Sequence, residues 1–161
     1  LTELISDMFE TLAASSGVGL AAPQIGKSIR VVVIDLDILK DEFPEYAGYR
    51  RVFINAHVQE VDAKSGKVAM EEGCLSVPGL SEEVVRPVRV RVTYLDENLQ
   101  PHDEWVDGYA ARVMQHEFDH LEGKMYVDHL SPFRKQMIRN KLKAMTQGKF
   151  RAGYRTKPII K

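Results

Sequence analysis

The sequence predicts an α+β fold: mainly antiparallel β-sheets around a central helix, with a second helix closing the C-terminal end. Two observations lead there. Apolar residues recur at helical spacing near the start of the chain, at 113–125 and again after 132, while the middle holds short β-branched runs separated by Gly, Pro and Asx turns. Those strands cluster centrally instead of alternating with helices, which is the pattern of segregated α+β architecture.

Each element has its own signal. Leu1, Ile5, Met8, Phe9 and Leu12 mark the first helix, and Ser15-Ser16-Gly17 ends it. The chain begins at Leu1, without methionine and already inside a helical pattern, so an N-terminal segment is expected to be missing. Residues 17–26 read as a glycine-bearing apolar loop held close to something. A strand follows at 30–35, then a polar loop at 41–48 with Pro44 and Gly48. Further strands are expected at 51–62, 68–70, 84–94 and 105–106, with turns at Gly66, Gly79 and Asp96-Glu97-Asn98. Val113, Met114, Phe118, Leu121 and Met125 supply apolar positions at helical spacing, with Gly108 before the run and Gly123 as its stop signal, so a partly buried helix is expected here. The last helix runs from about 132 to 145, with Phe133, Met137, Ile138 and Leu142 available to pack inward.

Composition sets bounds on the rest. Of 161 residues, 44% are hydrophobic and 28% charged, which excludes wholesale disorder and suits one globular domain. The expected organisation is a single domain over 1–147 and a basic tail over 148–161. The longest apolar run, Val31-Val32-Val33-Ile34, is far too short to span a membrane. The one cysteine, Cys74, cannot pair within the chain, which fits a reducing cytoplasm. A formal charge of −1 hides an asymmetry: residues 131–161 carry ten basic residues and no acidic one, leaving a net −11 on the rest. A basic terminus commonly meets nucleic acid or another polyanion, and otherwise is a solvated helix face with a loose end.

The chemistry is carried by His116-Glu117-Phe118-Asp119-His120 together with Cys74. Histidines four apart on a helix share one face, so both imidazoles reach one ion while Glu117 sits beside a water on it. The pattern alone also arises on ordinary helices, where histidines cap, pair or face solvent. Cys74 offers a third ligand; the bland reading is a small buried hydrophobe. Three protein ligands would leave one position open, as a catalytic centre requires. His57, His102 and His129 have no partners at metal spacing and read as structural or exposed.

Three segments belong together: Gly17-Val18-Gly19-Leu20-Ala21-Ala22-Pro23-Gln24, Glu72-Gly73-Cys74-Leu75-Ser76 and Gln115-His116-Glu117-Phe118-Asp119-His120. In this order and spacing they resemble the three signature motifs of the peptide deformylases. The resemblance implies hydrolytic removal of the N-formyl group from the formylmethionine of nascent polypeptides, in a bacterial cytosol or an organelle. It implies Cys74, His116 and His120 as metal ligands and Glu117 as general base. It assigns the stabilisation of the developing oxyanion to the Gln24 side-chain amide and the Leu75 backbone N–H. Backbone groups of Val18, Gly19 and Gly73 would hold an extended peptide, and Met70, Tyr109 and Val113 would line a pocket for the methionine side chain. Arg112 stands where that pocket often has an apolar residue. Arg86 is expected either to brace Glu72 or to lie on the surface.

Two imidazoles and a thiolate suit several divalent ions. The resemblance implies Fe2+ physiologically, with Zn2+, Ni2+ or Co2+ in purified protein. It also implies ribosome contact through the basic C-terminal segment, and removal of residues 148–161 is expected to weaken that contact while leaving hydrolysis of a short formyl-Met peptide nearly unchanged. Two rival readings share parts of this evidence: a zincin-like metallopeptidase, which normally takes histidine or glutamate as third ligand, and a ribosome- or RNA-binding module without catalysis.

Overall fold

Val31–Asp35 has its first four residues buried in succession, so both of its faces are covered, which explains a continuous apolar run in place of alternation. The computed structural model describes residues 1–157. Its elements are α1 (Thr2–Ala14), β1 (Gly19–Ala21), β2 (Val31–Asp35), β3 (Arg50–Val61), β4 (Lys67–Cys74), β5 (Val77–Pro87), β6 (Val90–Leu95), β7 (Pro101–Val106), α2 (Gly108–Leu121) and α3 (Pro132–Thr146). The architecture is α+β with antiparallel pairing, as the sequence predicts. The chain forms two compact units, one from Leu1–Val68 and Arg86–Lys124, the other from Ala69–Val85 and the chain from Met125 onward.

The first unit is a five-stranded sheet in the order β1-β2-β3-β6-β7. Its neighbours pair antiparallel, with Leu20 opposite Val33, Val33 opposite Val52 and Thr93 opposite Asp103. Helix α2 packs on β1, β2 and β3, and α1 on β1 and β2 through Met8, Phe9 and Leu12. The core gathers Val32, Ile34, Phe53, Val92, Tyr94, Met114 and Phe118. Phe53 sits between two rings, with its centroid 5.5 Å from Phe118 and 4.6 Å from Tyr94. Strand β3 changes register between Ile54 and His57, where Asn55 takes φ +52°, a conformation that Asn tolerates better than most residues. This bulge takes the Ala56 carbonyl out of the ladder, and Arg30 Nη2 donates to it at 2.6 Å.

Two sequence expectations change here. Residues 19–21 form a strand inside what reads as a loop, because pairing with β2 supplies backbone partners that Gly and Ala propensity does not foretell. The run 84–94 is two strands rather than one. Pro87 has no N–H to continue the β5 ladder, and the Val88 N–H instead donates to the Gly66 carbonyl at 3.1 Å before β6 begins.

In the second unit β4 and β5 form a hairpin, and Val77, Leu80 and Val84 pack with Tyr126, Leu130 and Ile138. The Tyr126 hydroxyl, fully buried, donates to the Leu80 carbonyl at 2.9 Å. Helix α3 starts at Ser131, whose hydroxyl accepts from the Arg134 N–H, and Arg134 forks onto both oxygens of buried Glu82. Ile138, Leu142 and Met145 form its inward stripe. Phe133 and Met137, expected to pack inward, are instead 71% and 59% exposed. At roughly 100° per residue they lie off the narrow stripe that Ile138 centres.

Candidate functional site

Helix α2 is buried along nearly its whole length, from Ala111 through Phe118 and again at His120. A helix so enclosed is normally apolar all round, yet this one buries Arg112, Gln115, His116, Glu117 and His120. Several of its polar groups are tied to backbone or to an opposite charge. Arg112 Nη2 donates to the Val68 carbonyl at 2.7 Å, so this side chain is a brace. Gln115 Nε2 donates to the Pro87 carbonyl at 3.0 Å and to Ala111 one turn back. Arg86, only 3% exposed and therefore no surface residue, pairs with Asp119 at 2.8 Å. At the helix end Arg30 donates to the Leu121 carbonyl and pairs with Glu122. A cation on the last carbonyls complements both their unmet hydrogen bonds and the helix dipole.

Within this frame His116 and His120 stand one turn apart on α2, their ring centroids separated by 5.2 Å. Burial, first, and then the neighbouring His116 push the His120 imidazole down to about 4, with Asp119 opposing. It is therefore neutral at neutral pH and offers a ring-nitrogen lone pair in a dry setting. With His116, also buried, one turn away, two imidazoles fit a divalent cation of borderline softness. Glu117, between them, lies against Gly19 of β1: a Cβ built on Gly19 would come within 2.6 Å of Glu117 Oε1 and 2.8 Å of Cδ. Glycine at 19 thus makes room for the carboxylate, a reason beyond backbone presentation. Gln24 sits in the short 3-10 turn Ala22–Ile25, and its Oε1 accepts from the Ala21 N–H at 2.9 Å. Only the carbonyl end of the amide can accept, so this bond fixes which way the amide points and leaves Nε2 as its donor. The Val18 carbonyl accepts from the Asp35 N–H, and β1 is the terminal strand of its sheet. Tyr109 is partly buried and Val113 buried, both packed with the sheet core.

The second unit carries the middle motif. Glu72 is buried, Gly73 is exposed, and Cys74 ends β4 in a partly buried position. Leu75 and Ser76 form the tight turn into β5. The Leu75 carbonyl accepts a 2.6 Å hydrogen bond from the Tyr154 hydroxyl. Burial raises the Tyr154 pKa, and the nearby Cys74 raises it further. Met70, on β4, is 36% exposed.

The histidines without metal spacing have structural roles or face solvent. His102 pairs with Asp96 at 2.7 Å and stacks on Tyr94, His57 meets Arg30, and His129 is exposed. Sequence reasoning missed the parts of Arg30, Gln115 and Tyr154, whose bonds to Leu121, Pro87 and Leu75 span 91, 28 and 79 residues of chain.

A sequence model of the polypeptide deformylase family matches residues 1–136. A peptide deformylase of Cytophaga hutchinsonii is 42% identical over 161 residues, spanning 100% of this chain and 85% of that protein. The crystal structure of a peptide deformylase from Legionella pneumophila aligns with a TM-score of 0.75 at 41% identity, over 91% of this chain and 80% of that one. An inhibitor complex of Plasmodium falciparum peptide deformylase aligns at 0.77 with 33% identity, covering 91% and 84%. Within this chain the contact between Gly19 and Glu117 can be tested directly. Gly19→Ala should cost about 1–3 kcal/mol in urea unfolding, as other overpacked sites do; wild-type stability would show that Glu117 swings clear at no cost.

Proposed function

The chain belongs to the polypeptide deformylase family, metal-dependent hydrolases that remove the N-formyl group from nascent polypeptides, and we propose how its own residues divide that work. Cys74, His116 and His120 are the ligands of one divalent ion in this reading. The observation that carries it is the pair of buried imidazoles on one turn of α2, with Glu117 lodged between them against Gly19. The lone cysteine, in the motif preceding the β4–β5 turn, supplies the thiolate that the family resemblance calls for. When bound, the ion supplies Lewis-acid polarisation and a water acidified to near-neutral pKa.

The chain's residues do the rest. Glu117 takes the proton of the attacking water as general base and delivers it to the departing amine. The Gln24 Nε2 and the Leu75 N–H donate to the formyl oxygen as charge develops on it; their value lies in being aimed before the reaction starts. The hydrogen bond from the Ala21 N–H supports this role for Gln24, since it orients the amide in the free protein. The peptide chain of the substrate adds as a strand along β1 at Val18 and Gly19, with Gly73 as a further backbone contact. Met70, Tyr109 and Val113 contact the methionine side chain. Arg112 is excluded from that group because its guanidinium is committed to the Val68 carbonyl.

Ferrous iron is the proposed resident ion. A mixed imidazole and thiolate set accepts iron, zinc, nickel or cobalt, and availability decides among them in the cell; a redox-active ion beside a thiolate makes the protein sensitive to oxygen. No helix among the described residues is long and apolar enough to cross a membrane, and the bacterial cytosol is the proposed setting. A zincin-like peptidase or a non-catalytic RNA-binding module has no comparable support, given a family match over residues 1–136.

Glu117→Gln separates binding from chemistry. It should retain one equivalent of metal under anaerobic purification while turnover of a formyl-Met peptide falls by about two orders of magnitude or more. Loss of metal together with activity would make Glu117 a ligand instead of a base.

Contact with the ribosome is the remaining part of the proposal. It is supported by the exposed face of α3, where Lys135, Arg139, Lys141 and Lys143 stand with exposed Phe133 and Met137. The basic tail expected from the sequence runs to Lys161, and residues 158–161 lie outside the described residues. Co-sedimentation with ribosomes should weaken steeply as salt rises, because each phosphate contact releases counterions. Salt-independent association, or none at low salt, would remove this partner.

A further inference from the structure

Residues 150–155 lie beyond the family match, which ends at 136, and their burial alternates. Phe150, Ala152 and Tyr154 are partly buried, whereas Arg151, Gly153 and Arg155 are exposed. Alternate side chains of this segment therefore turn inward, along a chain that bends at Gly153 and Tyr154. The inward residue Tyr154 donates to the Leu75 carbonyl at 2.6 Å, across 79 residues of sequence. Its acceptor lies in the two-residue turn between β4 and β5, where backbone groups leave the ladder and must find partners elsewhere.

We infer that this segment is a strap and that Tyr154 is a positioning residue, holding the Leu75 turn so that the Leu75 N–H is aimed at the formyl oxygen. The inference rests on the reading of Leu75 as an oxyanion donor. The N–H and the carbonyl of Leu75 belong to two rigid peptide planes hinged at its Cα, and only two soft dihedrals relate them. Pinning the carbonyl restrains one plane and narrows the motion of the other. An oxyanion donor gains its effect from such restraint before the reaction begins. Truncation at 148, neutral in the sequence-based expectation, removes this hydrogen bond.

The test compares full-length Tyr154→Phe, a deletion of residues 154–161 and Arg155→Gln with the parent, each loaded with metal. Amide hydrogen exchange at Leu75 and Ser76 is measured beside steady-state kinetics on a short formyl-Met peptide. Loss of one ordinary hydrogen bond predicts exchange faster by about three- to tenfold in Tyr154→Phe. The same variant should lose kcat by a similar factor with little change in KM, and the deletion should do at least as much. Arg155→Gln, which faces away, should match the parent in both. Unchanged exchange overturns the strap, and faster exchange with unchanged kcat, or an effect confined to KM, overturns the positioning role. Failure of the oxyanion reading itself would show separately, as Gln24→Ala retaining the parent's kcat.

Discussion

Burying polar side chains along α2 is the constraint on which the rest of the site depends, because a polar group taken from water without a partner costs several kcal/mol on the stricter transfer scales. The surrounding backbone answers that cost where strands stop or bulge. Pro87 at the end of β5 accepts from Gln115, and Val68 near the start of β4 accepts from Arg112. The buried guanidinium of Arg86 meets Asp119 in the last turns of the helix. Arg30 ties the helix terminus to the bulge in β3, since one guanidinium reaches both the Leu121 and Ala56 carbonyls. A helix tied at so many points cannot slide or turn, and it carries both imidazoles of the ligand set with it.

That rigidity has a chemical consequence. Imidazoles held in a dry setting are neutral at working pH, and a neutral imidazole is the form that binds a metal. Burial is the largest cause of the lowering at His120, with the His116 ring as a second. The carboxylate of Glu117 needs a seat of its own, and β1 provides it by carrying glycine at 19. One short strand therefore does two things: it ends the sheet with an edge, and it leaves space for the base. Gln24 follows shortly after β1, its amide oriented by the Ala21 N–H, so the donor and the space for the base come from the same few residues.

Local signals made much of this legible in the sequence. The helix carrying the histidines follows from apolar spacing between Gly108 and Gly123, and the ligand pair follows from the pitch of a helix. The motifs around Gly19, Cys74 and His116 belong to short stretches that a linear reading can compare with a family. What escaped was set by distant partners. Strand β1 exists because β2 pairs with it, and the break between β5 and β6 hangs on the missing N–H of Pro87 inside an otherwise continuous strand-like run. Phe133 and Met137 satisfy helical spacing yet face outward, because the core touches α3 along a single stripe. No local pattern announces that Tyr154 meets Leu75, or that Arg30 meets Leu121 across 91 residues.

In the proposed site one thiolate and two imidazoles, from Cys74, His116 and His120, hold the catalytic ion. X-ray absorption at the metal edge of the zinc-loaded protein tests it most directly. One sulfur scatterer is expected at about 2.3 Å and two imidazole nitrogens at about 2.0–2.1 Å, with the remaining position filled by a light atom from solvent. A shell of nitrogen and oxygen alone, with no sulfur, would contradict it.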